Sequence, residues 1–574
     1  MCAIAHGTLE WLPGKSVALS EACWPEALVG ALPVIYPFIV NDPGEAAQAK
    51  RRIGAVTLGH VPPRLRSGAL PERLGRLERL MDEYSTADGL DPRRRDRLIE
   101  DIRAEAAAAG VETDLGLGVD TPASEAIPLI DRFVCDVKET QFGDGLHVFG
   151  RADAVADPPG YVAAAAAERQ GLLDALAGRR VPAGPSGSPW RGRADVLPTG
   201  RNLFTTDPRA VPSRSAFDQG GKLAGELVRR HLQDHGDYPK GLVIDLWGSA
   251  TMRTAGEEFA MALHLIGVHP VWDAGSDRVT GFEVVPLALL DRPRIDVTLR
   301  VSGLFRDVFP TLSQMFGQAI TALAARDEAP DWNPYAGRTA GARVFGPAPG
   351  SYGLGMGSAA EDYSDAGRAA VAEAWISASS WALDSASPAP DRAGITAQIA
   401  AADAFVHVQD LPETDLLLAA DYAAHEAGFA AARNLITGQS AAPTALYHLD
   451  ATRPDQPRAR TVAEEIARVV QGRAVSPEWA EGMMRHGFRG GAEIAATLDH
   501  MAAFAHLAGV VGGHLFDLYH DATLGCPEVV AFLRAHNPGA LQAMQDRFRA
   551  LHAAGLWQTR RNTILAALAD DHAA

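Results

Sequence analysis

Gly241-Leu242-Val243-Ile244-Asp245-Leu246-Trp247 decides how this chain is built. Its aliphatic and β-branched run reads as a buried strand. Residues 256–265 follow with glutamates at their start and an apolar stripe, which predicts an amphipathic helix, and Pro270-Val271-Trp272 predicts a returning strand. Strand, helix and strand make a βαβ unit, and Arg294-Ile295-Asp296-Val297-Thr298-Leu299-Arg300-Val301 supplies a further strand. The expected fold class is therefore multidomain α/β with a parallel sheet built from βαβ units, followed by a largely helical C-terminal region. Ligands of such sheets sit at the carboxyl ends of the strands. Ser249-Ala250-Thr251-Met252-Arg253 and Ser302-Gly303-Leu304-Phe305-Arg306 fall there, so Arg253 and Arg306 are candidates for holding an anionic ligand.

Downstream of the sheet, Phe345-Gly346-Pro347-Ala348-Pro349-Gly350-Ser351-Tyr352-Gly353-Leu354-Gly355-Met356-Gly357 is a glycine-rich loop. It does not read as a nucleotide fingerprint, because no strand is expected directly before it and no ribose-binding acid is evident. Phe405-Val406-His407-Val408-Gln409-Asp410 predicts a short strand, and a helix follows through Asp421, Tyr422 and His425. Residues 461–574 read as several helices, and a helical scaffold is the expectation for them.

Upstream, residues 181–195 are rich in Pro, Gly, Ser and Arg and mark a boundary; Pro198-Thr199-Gly200-Arg201 lies just beyond. Val34-Ile35-Tyr36-Pro37-Phe38-Ile39-Val40 predicts a strand that stops at a turn, Asn41-Asp42-Pro43-Gly44, before a helix over residues 45–52. A second strand is expected within residues 53–63, and the charged stretch 71–110 predicts a surface helical hairpin. Domains are expected at 1–190, 191–360 and 361–574.

The composition is that of a globular protein, with 47% hydrophobic and 22% charged residues. A formal charge of −18 argues against a nucleic-acid partner and against an anionic membrane surface. Cys2, Cys23, Cys135 and Cys526 are scattered without Cys-x-x-Cys spacing, which indicates neither a zinc site nor a disulfide framework and fits a reducing cytoplasm. No basic-apolar leader and no long apolar run occurs.

The chemistry-bearing stretch is His6-Gly7-Thr8-Leu9-Glu10-Trp11-Leu12-Pro13-Gly14-Lys15. An imidazole and a carboxylate four residues apart can take protons at neutral pH or hold a metal ion, and Trp11 adds a flat apolar face. Gly7 and Pro13-Gly14 oppose a regular helix, so a loop is expected. Gly14-Lys15-Ser16 is not the end of a P-loop, because the motif needs glycine where Leu9 stands.

This stretch resembles the signature of the cobaltochelatase large subunit, shared with the porphyrin-binding component of magnesium chelatase. Further segments resemble the same family: Tyr36-Pro37-Phe38-Ile39-Val40-Asn41-Asp42-Pro43-Gly44-Glu45, Asp144-Gly145-Leu146-His147-Val148-Phe149-Gly150, residues 302–309, the Gly-x-Tyr-Gly-x-Gly element at 350–355, and His407-Val408-Gln409-Asp410 with the later Asp415-Leu416-Leu417 and His425. Ala419 and Ala420 stand where many relatives are acidic. The family signature has a further His and a Gly-Thr pair before it, whereas this chain opens Met1-Cys2-Ala3-Ile4-Ala5; the expectation is that the chain resembles the C-terminal half of a longer protein.

The resemblance implies insertion of Co2+, as substrate, into hydrogenobyrinic acid a,c-diamide on the aerobic route to cobalamin. Such a reaction must grip a flat ring bearing carboxylates, remove two pyrrole protons and exchange the ion's water for ring nitrogens. Glu10 and His6 suit proton removal and transient metal holding; His147 and His425 are further metal candidates. Trp11, Lys15, Arg201, Arg253, Arg306 and Tyr352 suit the ring and its carboxylates, with Phe305 also available. The chain has no convincing nucleotide site, so the resemblance implies that ATP and Mg2+ are used by partners, an AAA+ ATPase subunit and its companion, and the upstream half is a further partner. The alternatives are the magnesium chelatase component that binds protoporphyrin IX and a tetrapyrrole-binding fragment without activity. An unrelated carboxylate-binding α/β protein ranks behind these.

Overall fold

The computed structural model describes residues 9–87, 91–155, 157–337, 341–438 and 444–570. Its centre is an eight-stranded sheet in the order Ala389–Pro390, Trp381–Ala382, Val344–Gly346, Asp296–Val301, Gly241–Leu246, Ala404–Gln409, Ala445–Asp450, Arg458–Thr461. The five strands from Val344–Gly346 to Ala445–Asp450 are parallel, and the outer ones are antiparallel. Both faces are covered, which is why Gly241–Leu246 is an almost continuous apolar run. Leu242, Ile244 and Leu246 pack with helices Arg214–His235, Glu257–Ile266 and Pro310–Ala324 on one side. Val243 and Phe405 pack with Asp365–Ser377, Gly428–Thr437 and Gly487–Ala508 on the other.

The βαβ partner of Gly241–Leu246 is Asp296–Val301, not the segment containing Pro270. Val268–Trp272 instead pairs antiparallel with Val279–Val284 in a separate two-stranded ribbon. Pro270 has no N–H to give to a central ladder, which confines it to such an edge. A short strand, Val344–Gly346, does lead into the glycine-rich loop, contrary to the expectation from sequence.

A second sheet of four strands, in the order Ile35–Ile39, Val56–His60, Asn202–Phe204, Ala183–Pro185, forms a smaller layer. Residue 190 falls inside the stretch that joins two of its strands, and residue 360 falls between strands of the eight-stranded sheet. The charged stretch forms the paired helices Glu72–Ala87 and Pro92–Ala108, and residues 462–570 are helices joined by short connections. Cys23, Cys135 and Cys526 are free thiols. Among the described residues no helix is long and apolar enough to cross a membrane.

The small layer sits on the carboxyl edge of the large sheet through helix Pro43–Ile53. Pro43 occupies its first turn and Gly54, at φ 61°, ends it. Gly44 makes the contact: a Cβ there would lie 2.3 Å from Ser249 Oγ and 2.4 Å from Leu304 Cδ2. Gly241–Leu246 has neighbours on either side that come later in the chain, so a topological switch point lies at its carboxyl end, under the small layer.

Candidate functional site

Glu10 lies in a single 3-10 turn, Leu9–Trp11, as the loop expectation required, and it is fully buried. His6 lies outside the described residues. Arg52 holds this turn by donating to the carbonyls of Glu10 and Lys15. Its guanidinium also lies 4.9 Å from the centre of the Tyr352 ring, and Trp11 meets that ring edge-on at 5.4 Å. The structure therefore brings Glu10, Trp11, Tyr352 and Arg306 together, the last with its guanidinium 5.2 Å from the centre of the Tyr352 ring.

Around Glu10 the crevice is acidic. Burial first, and then the charges of Asp42, Glu10 and Asp421, raise the Glu45 carboxyl well above the usual range, with a hydrogen bond from Trp11 acting against them. One carboxylate oxygen each of Asp42, Glu45 and Glu413 is sealed from solvent without a hydrogen-bond partner among the described residues. Asn41 bridges to Glu413, which burial pushes up to about 7. Asp421 is exposed and marks the open side. The acids come from both bodies: Glu10, Asp42 and Glu45 from the small layer, Glu413 from the loop after Ala404–Gln409 and Asp421 from the short helix Ala420–Tyr422. Like charges this close favour uptake of a proton or a cation.

The arginines expected at the rim are engaged inside the protein. Arg253 grips Asp410 at 2.6 and 2.8 Å and the Asn41 carbonyl at 2.7 Å. Arg306 donates to the carbonyls of Pro347, Ala348 and Ser351 and so shapes the glycine-rich loop, with Nη2 buried and without a partner among the described residues. Lys15 is exposed. Arg201 bonds the Asp195 carbonyl in the small layer.

His147 and His425 occupy two different places. His147 Nε2 donates to Glu168 at 3.0 Å, and its ring stacks on His60 at 5.2 Å. Burial, and then His147, hold the His60 imidazole down at about 4, and its Nδ1 faces the Val61 carbonyl at 3.0 Å. The unfolded chain therefore binds a proton that the folded one refuses between about pH 6.5 and 4, and stability falls as pH drops through that window, by on the order of 3 kcal/mol. A His60→Phe variant is expected to flatten the urea midpoint over that window; parallel pH slopes for variant and wild type would refute this.

His425 sits in a one-turn π-helix, Ala423–Ala427, within a helical stretch, a distortion common at functional sites. Its Nδ1 lies 2.7 Å from Asp245, which also accepts from Trp247 at 2.6 Å and Arg300 at 3.2 Å. Arg300, Asp245, His407 and His448 are register partners across four neighbouring strands, so they form one polar row under the site. Although burial opposes it, His425 and then Arg300 hold the Asp245 carboxyl well below the usual range. The carboxylate orients His425 as it would a metal-binding imidazole. Among the described residues, no group of three or more His, Cys, Asp or Glu side chains can hold a metal ion.

Residues 5–167 and 159–564 match the family model CobN/Magnesium Chelatase. The chain belongs to this family. It is 39% identical to the aerobic cobaltochelatase subunit CobN of Pseudomonas aeruginosa, over 96% of this chain and 54% of that protein. It is 36% identical to the aerobic cobaltochelatase subunit CobN of a Sinorhizobium species, over 97% of this chain and 55% of that one. Identity to the corresponding magnesium-chelatase component of Rhodobacter capsulatus is 28%, over 98% of this chain and 48% of that one. The solved catalytic subunit of cobaltochelatase from Mycobacterium tuberculosis superposes with a TM-score of 0.90 at 32% identity, covering 98% of this chain and 56% of that one. The chain thus spans about half the length of the relatives it matches.

Sequence reading missed Asp42, Glu45 and Glu413. It took Asn41-Asp42-Pro43-Gly44 as a turn; the signal was two acids flanking a Pro-Gly helix start that glycine allows to sit against another body.

Proposed function

We propose that this chain is the metal-inserting part of a cobaltochelatase, acting on Co2+ and a tetrapyrrole, with hydrogenobyrinic acid a,c-diamide as the ring. The observation that carries the reading is the acidic crevice of Glu10, Asp42, Glu45 and Asp421, walled by Trp11 and Tyr352 and set at the switch point of the sheet, in a member of the CobN/magnesium chelatase family. Insertion exchanges two pyrrole protons for one divalent cation, so the ring ends with unchanged charge. A carboxylate whose proton affinity is raised, as that of Glu45 is, is suited to take such a proton. Glu10 and Glu45 are assigned as bases, and Glu10 with His6 as the pair that meets the cation. His425, oriented by Asp245, is the further imidazole at the floor, and His147 belongs to the separate cluster with His60.

Cobalt is favoured over magnesium because imidazole suits it better, and because identity is higher to the cobaltochelatase relatives than to the magnesium chelatase one. Those relatives are named as subunits, which supports a multisubunit enzyme. The partners assigned are an AAA+ ATPase and its companion, which use ATP and Mg2+, together with a polypeptide supplying the part of the relatives that this chain does not span.

The test is a visible-absorbance assay of ring metallation with those partners and ATP, comparing the native chain with Glu10→Gln. The native chain is expected to metallate the ring and the variant to be at least about a hundredfold slower. Metallation of protoporphyrin IX with magnesium in preference would overturn the cobalt assignment. Ring binding with no metallation under any combination would leave a binding module.

A further inference from the structure

A cavity of about 620 Å3 borders the carboxyl ends of Ala404–Gln409 and Ala445–Asp450. It is large enough for a substantial part of a drug-sized ligand or cofactor. It adjoins the acidic crevice across the 409–415 loop: Pro412 and Thr414 line the cavity, while Glu413 between them bonds Asn41.

The lining is mostly polar, and its charges balance. Arg460 is fixed by three carboxylates, Asp136 at 2.9 Å and Asp450 and Glu465 at 3.2 Å. Two other arginines of the wall are less committed. Among the described residues, Arg453 pairs with Glu139 alone, each about half exposed at 51%, and Arg458 makes one long ion pair, 3.6 Å to Asp136. Gln456 adds an amide, and the Trp190 indole N–H in the wall is buried without an acceptor among the described residues.

Such a wall rewards carboxylates and amides together. Arg453, Arg458 and the Trp190 N–H can donate to carboxylate or amide oxygens, and the acids can accept from amide N–H groups. A vinyl or methyl edge would strip water from the same groups and return no hydrogen bond, leaving each of them unmet.

We infer that this cavity receives the polar rim of the tetrapyrrole and selects rings that carry many carboxylate and amide side chains over rings edged with alkyl or vinyl groups. This rests on the tetrapyrrole reading above and names the part of the chain that chooses the ring.

The native chain and an Arg453→Glu/Arg458→Glu variant would be titrated with uroporphyrin, whose rim carries carboxylates at every position, and with mesoporphyrin, whose rim is largely alkyl, following absorbance and tryptophan fluorescence. The native chain should bind uroporphyrin at least about tenfold more tightly, and the variant should lose about tenfold or more of that affinity with mesoporphyrin little changed. Gln456→Leu, which alters no charge, should move in the same direction by a smaller factor and serves if the double variant does not fold. Equal affinity of the native chain for the two rings, or an undiminished preference in the variants, overturns the inference alone. Failure of both rings to bind overturns the tetrapyrrole reading and the inference with it.

Discussion

A Glu45→Gln variant is expected to lose metal insertion by about two to four orders of magnitude while becoming more stable than the native chain at neutral to alkaline pH. Both effects come from one cause. Burial and the neighbouring Asp42, Glu10 and Asp421 raise its proton affinity, which makes it a good acceptor for a pyrrole proton and a poor place for a negative charge. A carboxyl with a folded pKa above its unfolded value binds more protons in the folded state. Its contribution to stability therefore declines as pH rises from about 4.3 through the raised value, and glutamine removes that penalty. The rate of the native enzyme should climb with pH over the same interval as the carboxylate becomes available. Near-native turnover in the variant, or lower stability at high pH, would remove Glu45 from the role of base.

Asp245→Ala is expected to destabilise the fold by about 3–5 kcal/mol, because it leaves Arg300 buried beside two imidazoles with no counter-charge. Asp245 is 2% exposed and Arg300 also 2%, so water cannot substitute. The Asp245 carboxyl is held below its usual range, so its contribution is present above its unfolded pKa of about 3.9 and is lost as pH falls through the lower folded value. Asp245→Asn keeps the shape and one acceptor oxygen but loses the charge and the second acceptor, and should fall between the two. The measurement is the urea midpoint of the transition that includes the large sheet; a midpoint within experimental error of the native one in Asp245→Ala would show that the row is not a structural element.

How much of this was legible depended on the range of the cause. Gly241–Leu246 and its helix were readable because burial on both faces writes itself into consecutive residues. Val268–Trp272 was misplaced because strand propensity is local while the choice of partner is not, and Pro270 was the one residue that argued against a central position. Glu10 and Trp11 stood out by residue type and Tyr352 by its place in the glycine-rich loop, and the structure sets Trp11 against Tyr352. Arg253 and Arg306 were placed at the right edge, yet which acceptors they face depends on Asp410 and on the carbonyls of residues 347–351, far away in the chain. The row of Arg300, Asp245, His407 and His448 could not be seen at all, since strand register alone aligns it.

The contact at Gly44 holds the two bodies at near-backbone distance: a Cβ there would lie 2.8 Å from Ser249 Cα as well as against the Ser249 and Leu304 side chains. Ser249 and Leu304 already touch the place where a side chain would begin, so position 44 behaves as a shim of zero thickness. Every separation between acids on opposite sides of the crevice is measured from that shim. One methyl group at position 44 would meet the Ser249 main chain, prise apart the facing carboxylates and reset the charge density of the whole crevice.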